Sequence, residues 1–235
     1  MDFQERTEQR YKAHSGRTYH ESKRSIPDAA YPWVARMRAE KIAPYVSASD
    51  TVLEYGVGMG WNLAALACKR RVGYDLAAHL EAEVREHNID FITDLGTLAT
   101  GSVDVVICHH VLEHTPDPAK VLEEMRSLLK ADGRLLLFVP FEKERRYRRY
   151  DPAEPNHHVY SWNVQTLGNL VADCGFAIDE ARTARFGYDR FGALWSTRLG
   201  LGDSGYRLIR RLVHVVAPML EVRVAARKSN SEELA

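Results

Sequence analysis

The chain has few cysteines, no net charge and no apolar run long enough to span a bilayer. Its 235 residues include three cysteines, Cys68, Cys108 and Cys174, widely spaced and each in an apolar segment. That argues against a disulfide framework or a clustered zinc site and predicts reduced core thiols. Lys plus Arg and Asp plus Glu balance at 32 each, without the basic footprint of a general nucleic-acid binder, so no nucleic-acid partner is expected. The longest apolar stretches, 103–108 and 135–139, are of strand length, far short of the roughly 20 residues of a spanning helix. Residues 1–10 carry five charges and no apolar segment, so no secretory signal is read there and the expected location is cytoplasmic. Internal repeats and low-complexity tracts are also missing, and no glycine turn ends in the Gly-Lys-Ser/Thr of a phosphate loop.

The zero balance conceals a segregation of charge. Residues 75–124 hold eleven acids against Arg85 and Lys120, whereas residues 182–228 hold ten Lys/Arg against three acids, so the two regions should serve different partners. Between residues 51 and 139 strand-like and helix-like segments alternate, the pattern of a parallel sheet with crossover helices. Strands are expected at 51–55, 71–75, 89–93, 103–108 and 134–139, with helices at 61–70, 77–88 and 118–130. Asp117 reads as the N-cap of the last helix, and an Asp132-Gly133 turn leads out of it. Residues 140–162 form a long irregular connection rich in Arg, Tyr, His and Pro, of the kind that usually serves function. A helix over 163–174, a strand over 176–185 and a last strand over 220–226 complete the pattern.

The turn after the first strand reads Glu54-Tyr55-Gly56-Val57-Gly58-Met59-Gly60. In a doubly wound sheet this turn lies at the carboxyl edge, where ligands bind, and glycines there let the backbone approach closely. Trp61 stands where a dinucleotide fingerprint wants a small residue. Glu54 brings a carboxylate that suits a cation better than a phosphate. Asp75 ends the second strand, placed to accept from two ribose hydroxyls. Together these point to a nucleoside ligand carrying positive charge.

On these residues, and on Gly73-Tyr74-Asp75-Leu76, Thr93-Asp94-Leu95, 103–107 followed by His110-Val111-Leu112-Glu113-His114, and 128–135, the chain resembles the class I S-adenosylmethionine-dependent methyltransferases. The closest resemblance is to their small-molecule, ubiquinone-pathway-like branch, and it runs over about 52–186. It implies a Rossmann-like, doubly wound, seven-stranded α/β sheet, mostly parallel with one antiparallel strand and helices on both faces. The implied cofactor is S-adenosyl-L-methionine, leaving S-adenosyl-L-homocysteine as product. Carried over, Glu54 faces the methionine amine, Gly56, Gly58 and Gly60 line the chain, Asp75 and Leu76 meet the ribose, and Asp94 and Leu95 meet the adenine. His109 is placed beside the cofactor. Tyr55, Val57 and Met59 depart from the usual residues at positions contacted through backbone.

The resemblance implies five regions: a helical lid over 1–45, the cofactor-binding core over 46–186, an inserted helical cap over 187–218, the last antiparallel strand over 219–228 and a disordered tail over 229–235. Methyl transfer needs an aligned acceptor and, for oxygen, a proton acceptor. His110, His157 and His158 are the candidate bases, and His114 is read as ordering its turn. Tyr19, Arg146, Arg149 and Tyr150 are the candidate substrate contacts. His157-His158 with Asp151 or Glu154 has no recognised metal spacing, and no metal is expected. The amphipathic basic stretch 206–216 can cap the pocket, pack between subunits or touch a membrane surface. The expected activity is methylation of a small molecule, at oxygen, by a monomer or homodimer. A macromolecular acceptor and a non-catalytic cofactor-binding role are the alternatives.

Overall fold

The computed structural model describes residues 5, 6, 9, 11, 12, 25–142, 149–151 and 156–229. Seven strands are present: β1 Thr51–Tyr55, β2 Arg70–Tyr74, β3 Asp90–Ile92, β4 Val103–His109, β5 Leu129–Pro140, β6 Phe176–Arg185 and β7 Leu220–Lys228. They form one sheet in the order β3-β2-β1-β4-β5-β7-β6. β7 runs antiparallel to both β5 and β6, and the pairs among β1 to β5 are parallel. This is the expected seven-stranded, mostly parallel architecture. The central strands β1 and β4 are buried almost throughout, which is why they read as continuous apolar runs rather than alternating ones.

Helices cover both faces: α1 Tyr31–Ile42, α2 Glu81–Glu86, α3 Pro118–Leu128, α4 Val164–Asp173, α5 Asp189–Arg198 and α6 Gly202–Val216. On one face α3 and α4 pack Val121, Leu122, Met125, Leu167 and Val171 over Leu53, Val106 and Leu137. On the other, α1, α2 and the turn before α2 pack Ala39, Ile42, Leu80 and Val84 over Val52, Val105, Ile107 and Phe138. Local chemistry sets the helix starts. The Asp117 carboxylate accepts from Lys120 N with Pro118 in the first turn, and Asn163 and Thr166 form a reciprocal capping box.

Three expected elements differ. No helix forms over 61–70: Leu63 N and Ala64 N donate to Gly60 O, and the chain then turns back to β2. The cause is span. Residues 61–69 wound as a helix rise only about 13 Å, whereas returning along a strand of β1's length needs about 16 Å. The expected helix over 77–88 shortens to a tight turn, Ala78–Leu80, followed by α2. Strand β5 starts at Leu129, and its register jumps from Leu129 to Arg134 while β4 advances from Val103 to Val105. Asp132-Gly133 is therefore a bulge within the strand. The cysteines are also less uniform than expected, with Cys108 buried and Cys68 and Cys174 half-buried.

The insertion folds as a hairpin of α5 and α6. Gly192 sits where a Cβ would meet Arg210 Cγ at 2.8 Å and the Tyr206 ring at 3.0 Å, so the helices approach closely. Asp189 fastens the hairpin to α1 through Arg38 at 2.6 Å and to α6 through Arg210 at 3.0 Å. Burial raises the Asp189 carboxyl, and the two arginines outweigh this to hold it below its ordinary value. Most of residues 1–24, including Tyr19, and the tail beyond Ser229 lie outside the described residues.

Candidate active site at the carboxyl edge of the sheet

β1 delivers the glycine turn. Gly56, Gly58 and Gly60 have φ of +79°, +50° and +73°. At Gly56 a Cβ would lie 2.2 Å from Val111 Cγ2, so here glycine is demanded by both conformation and space. Gly56 N and Val57 N both donate to Tyr74 O, which locks the turn against the end of β2. Tyr31 of α1 closes over it, its hydroxyl donating to Met59 O at 2.8 Å.

Asp75 follows directly on β2. Its Oδ2 accepts from Gly58 N at 2.8 Å and its Oδ1 from Ala77 N at 2.9 Å. Two backbone donors aim the half-buried carboxylate, a group with about four acceptor positions in all and of the kind that receives ribose hydroxyls. Glu54 is buried at the end of β1 and accepts from the Asn62 amide. The Asn62 carbonyl in turn receives Arg38 Nη1 at 3.5 Å. A glycine-lined turn flanked by these two carboxylates fits S-adenosylmethionine, whose amine is cationic and whose ribose offers two hydroxyls. Asp94 is exposed and caps the turn Leu95–Thr97, accepting from Gly96 N at 2.8 Å. Leu95 lies half-buried beside it, as does Leu76 beside Asp75.

His109 stands on the same face of the sheet as Glu54 and Val57. It ends β4 on the α1 face of the sheet, its Nε2 2.7 Å from Lys41 Nζ and its ring stacked on His110 at 4.4 Å. Strand alternation explains this, because His109 shares a face with Ile107 and Val105. His110 follows in a left-handed conformation, φ +57°, and its Nε2 lies 3.2 Å from Glu221 Oε2. Glu221 is wholly buried at the start of β7 and also receives Arg223 Nε at 2.7 Å and Lys41 Nζ at 3.2 Å. Burial pulls the Lys41 ammonium down to about 8 despite the Glu221 carboxylate. Burial pushes Glu221 up, but Lys41, the hydrogen bond from His110 and Arg223 together hold it at about 2.

A second cluster stands on the segments after β4 and β5. His158 Nδ1 lies 2.7 Å from Glu142 Oε1, and the His158 ring meets the His114 ring edge-on at 4.8 Å. Tyr11 OH lies 2.8 Å from His114 Nδ1, bringing the leader onto this cluster. Glu113 is buried beneath, and its carbonyl accepts from Val159 N and Tyr160 N. His157 is exposed with φ +50°. Arg149 and Tyr150 are exposed as well, and Arg146 and Glu154 lie outside the described residues.

Two trios, His109/His110/Glu221 and Glu113/His114/His158, each bring ligand-type atoms within 4.8 Å of one another. In the first, the Lys41 ammonium already sits on His109 and Glu221. In the second, Glu142 and Tyr11 engage the two imidazoles. Asp151 belongs to neither trio. Lys41, Glu221 and Asn62 escaped the sequence reading, and Glu142 and Tyr11 were read only as parts of the charged connection and the lid. A signal existed for two of them: Lys41 falls on the apolar stripe of α1 with Val34 and Ile42, and Glu221 is the single acid in the alternating strand β7.

A family model described as a methyltransferase domain matches residues 29–181. A Mycobacterium tuberculosis protein named "Probable S-adenosylmethionine-dependent methyltransferase" is 32% identical over 178 residues, covering 69% of this chain and 62% of its own length. The match thus spans under two thirds of that relative. A ubiquinone biosynthesis O-methyltransferase of Xanthomonas oryzae is 39% identical over 105 residues, 38% of this chain and 43% of its own. Among solved structures, phosphoethanolamine N-methyltransferase 2 of Haemonchus contortus superposes with a TM-score of 0.62 at 14% identity, covering 93% of this chain and 61% of that one. The [4+2]-cyclase SpnF superposes at 0.59 with 17% identity, covering 83% and 80%. These superpositions show the fold alone, and a cyclase among them leaves the reaction to be argued from the site.

Proposed function

The chain belongs to the methyltransferase-domain family, and from that premise we propose that it transfers a methyl group from S-adenosylmethionine to an oxygen of a small-molecule acceptor, a hydroxyl of sugar, quinone or secondary-metabolite type. Bound at the glycine turn, the cofactor supplies a methyl carbon already activated by its sulfonium. What remains for the protein is alignment and removal of the acceptor proton.

The observation that carries this reading is the Glu142–His158 pair, 2.7 Å apart just beyond β5. A carboxylate on Nδ1 fixes the tautomer that keeps its proton there, which makes Nε2 the acceptor for a hydroxyl proton. The edge of His114, itself held by Tyr11, sets the plane of the ring. His110 is committed through Nε2 to Glu221 and serves as a positioning group beside β4. His157, exposed, lines the rim. Tyr19, Arg146, Arg149 and Tyr150 are the proposed acceptor contacts, and the α5–α6 hairpin caps the far side. The O-methyltransferase relatives support oxygen as the target. No helix among the described residues is long and apolar enough to cross a membrane, consistent with a cytoplasmic enzyme.

The test is a metabolite screen with labelled cofactor, followed by kinetics on the acceptor found. His158→Ala should lower kcat by about 10²- to 10⁴-fold with cofactor affinity unchanged, and Glu142→Gln should lower it less while shifting the rising limb of the pH profile. Unchanged turnover in His158→Ala removes the base assignment.

A further inference from the structure

The α5–α6 hairpin packs its inner face around α1 and yet is apolar outside. Inward, Ala193, Ser196 and Tyr206 are fully buried against Ala30, Val34 and Trp61. Outward, α6 presents Leu208, Leu212 and Val215 at helical spacing, 56%, 58% and 69% exposed. A solvated helix face of that kind carries polar residues. α5 adds Phe191, Trp195 and Leu199, all more than 40% exposed. The hairpin's own charges are mainly positive. Residues 187–218 contain five arginines and two aspartates, and both aspartates are engaged, Asp189 by Arg38 and Arg210, and Asp203 by Arg36 and Arg207. Arg190, Arg198 and Arg211 are exposed, Arg190 donating Nε to Ser25 O at 3.2 Å and Arg198 lying over the Trp195 ring at 5.7 Å.

We infer that this hairpin docks the enzyme on an anionic lipid surface, lying in the interfacial plane with its aliphatic and aromatic side chains among the acyl chains and its arginines on the headgroups. Trp, Phe and Leu on one side with arginine as the main accompanying charge supply the two signals, apolar burial and electrostatic attraction, that stable interfacial binding requires. A second copy of the chain is the poorer occupant. A two-fold contact through this face sets the same three arginines against themselves with no acid to meet them. The hairpin is also rigid relative to the site, tied through Asp189 and Arg38 to Asn62 and so to Glu54 beneath the glycine turn. The inference does not depend on which atom is methylated.

Flotation of the full chain with phosphatidylcholine vesicles and with mixed phosphatidylcholine–phosphatidylglycerol vesicles tests it. Three arginines near the surface predict binding roughly 100-fold tighter to the anionic vesicles, weakening steeply with salt. Leu212→Glu with Val215→Glu should abolish binding while leaving the melting temperature and S-adenosylmethionine affinity at parental values. Arg190→Gln, Arg198→Gln and Arg211→Gln together should remove the preference for phosphatidylglycerol. Equal partition to both vesicles, or binding untouched by the two glutamates, overturns the inference. So does a dimer in light scattering that the glutamates dissociate with no vesicle binding in the parent, which assigns the face to a second copy.

Discussion

Glu221→Gln is the sharpest perturbation available in this fold. The glutamine keeps the shape of a wholly buried side chain but removes the one negative charge that Lys41, Arg223 and His110 share. Two routes give its size. The carboxyl is held at about 2 instead of 4.5, which at about 1.4 kcal/mol for each tenfold step corresponds to about 3 kcal/mol. Breaking a buried ion pair by removing one partner costs about 3–5 kcal/mol. The sign follows from a depressed acid. The stabilisation is complete above pH 4.5 and is lost as pH falls toward 2.

In urea titrations at neutral pH the variant should therefore lose about 3–4 kcal/mol, a fall of roughly 10 °C in melting temperature for a chain of this size. Lys41→Met added to Glu221→Gln removes the stranded ammonium and should restore more than half of the loss, a coupling that a double-mutant cycle reads directly. The parent should also destabilise on acidification below pH 4.5 more steeply than the variant. A variant within about 1 kcal/mol of the parent, with an unchanged acid limb, refutes Glu221 as the hub of this cluster.

The glycine turn offers two further tests. Asp75→Ala should weaken S-adenosylmethionine in calorimetry by roughly 100-fold, the loss of charge-assisted hydrogen bonds to two hydroxyls; equal affinity in parent and variant removes the ribose assignment. Gly56→Ala places a methyl 2.2 Å from Val111 Cγ2 at a φ of +79° and should destabilise by about 3 kcal/mol, combining left-handed strain with overlap. Adding Val111→Ala should recover only the overlap, and full recovery in a thermal melt would show that the left-handed conformation contributes nothing.

Much of this molecule was legible before folding. Periods of apolar residues located all seven strands, and Asp117, Asn163 and the glycines marked turns whose chemistry is local. The glycine turn and Asp75 were readable for the same reason: a strand end, a turn and the next strand end are neighbours in any doubly wound sheet. Where the reading failed, distance was the cause. The segment 61–70 has helical periodicity, but the span back to β2 overruled it. His109 was read beside the cofactor from its place after a strand, and only the fold shows that Lys41 and His110 are its neighbours there.

The sequence by itself determined the succession of elements and the glycine turn, because propensity, capping and backbone freedom act over a few residues. Only the tertiary structure decided which charges meet. Lys41 and Glu221 stand 180 residues apart, and Glu142 finds His158 across a connection with no period of its own. No local rule pairs such groups. They are brought together by a sheet whose strand order places β7 beside β5, and burial then makes each pairing consequential.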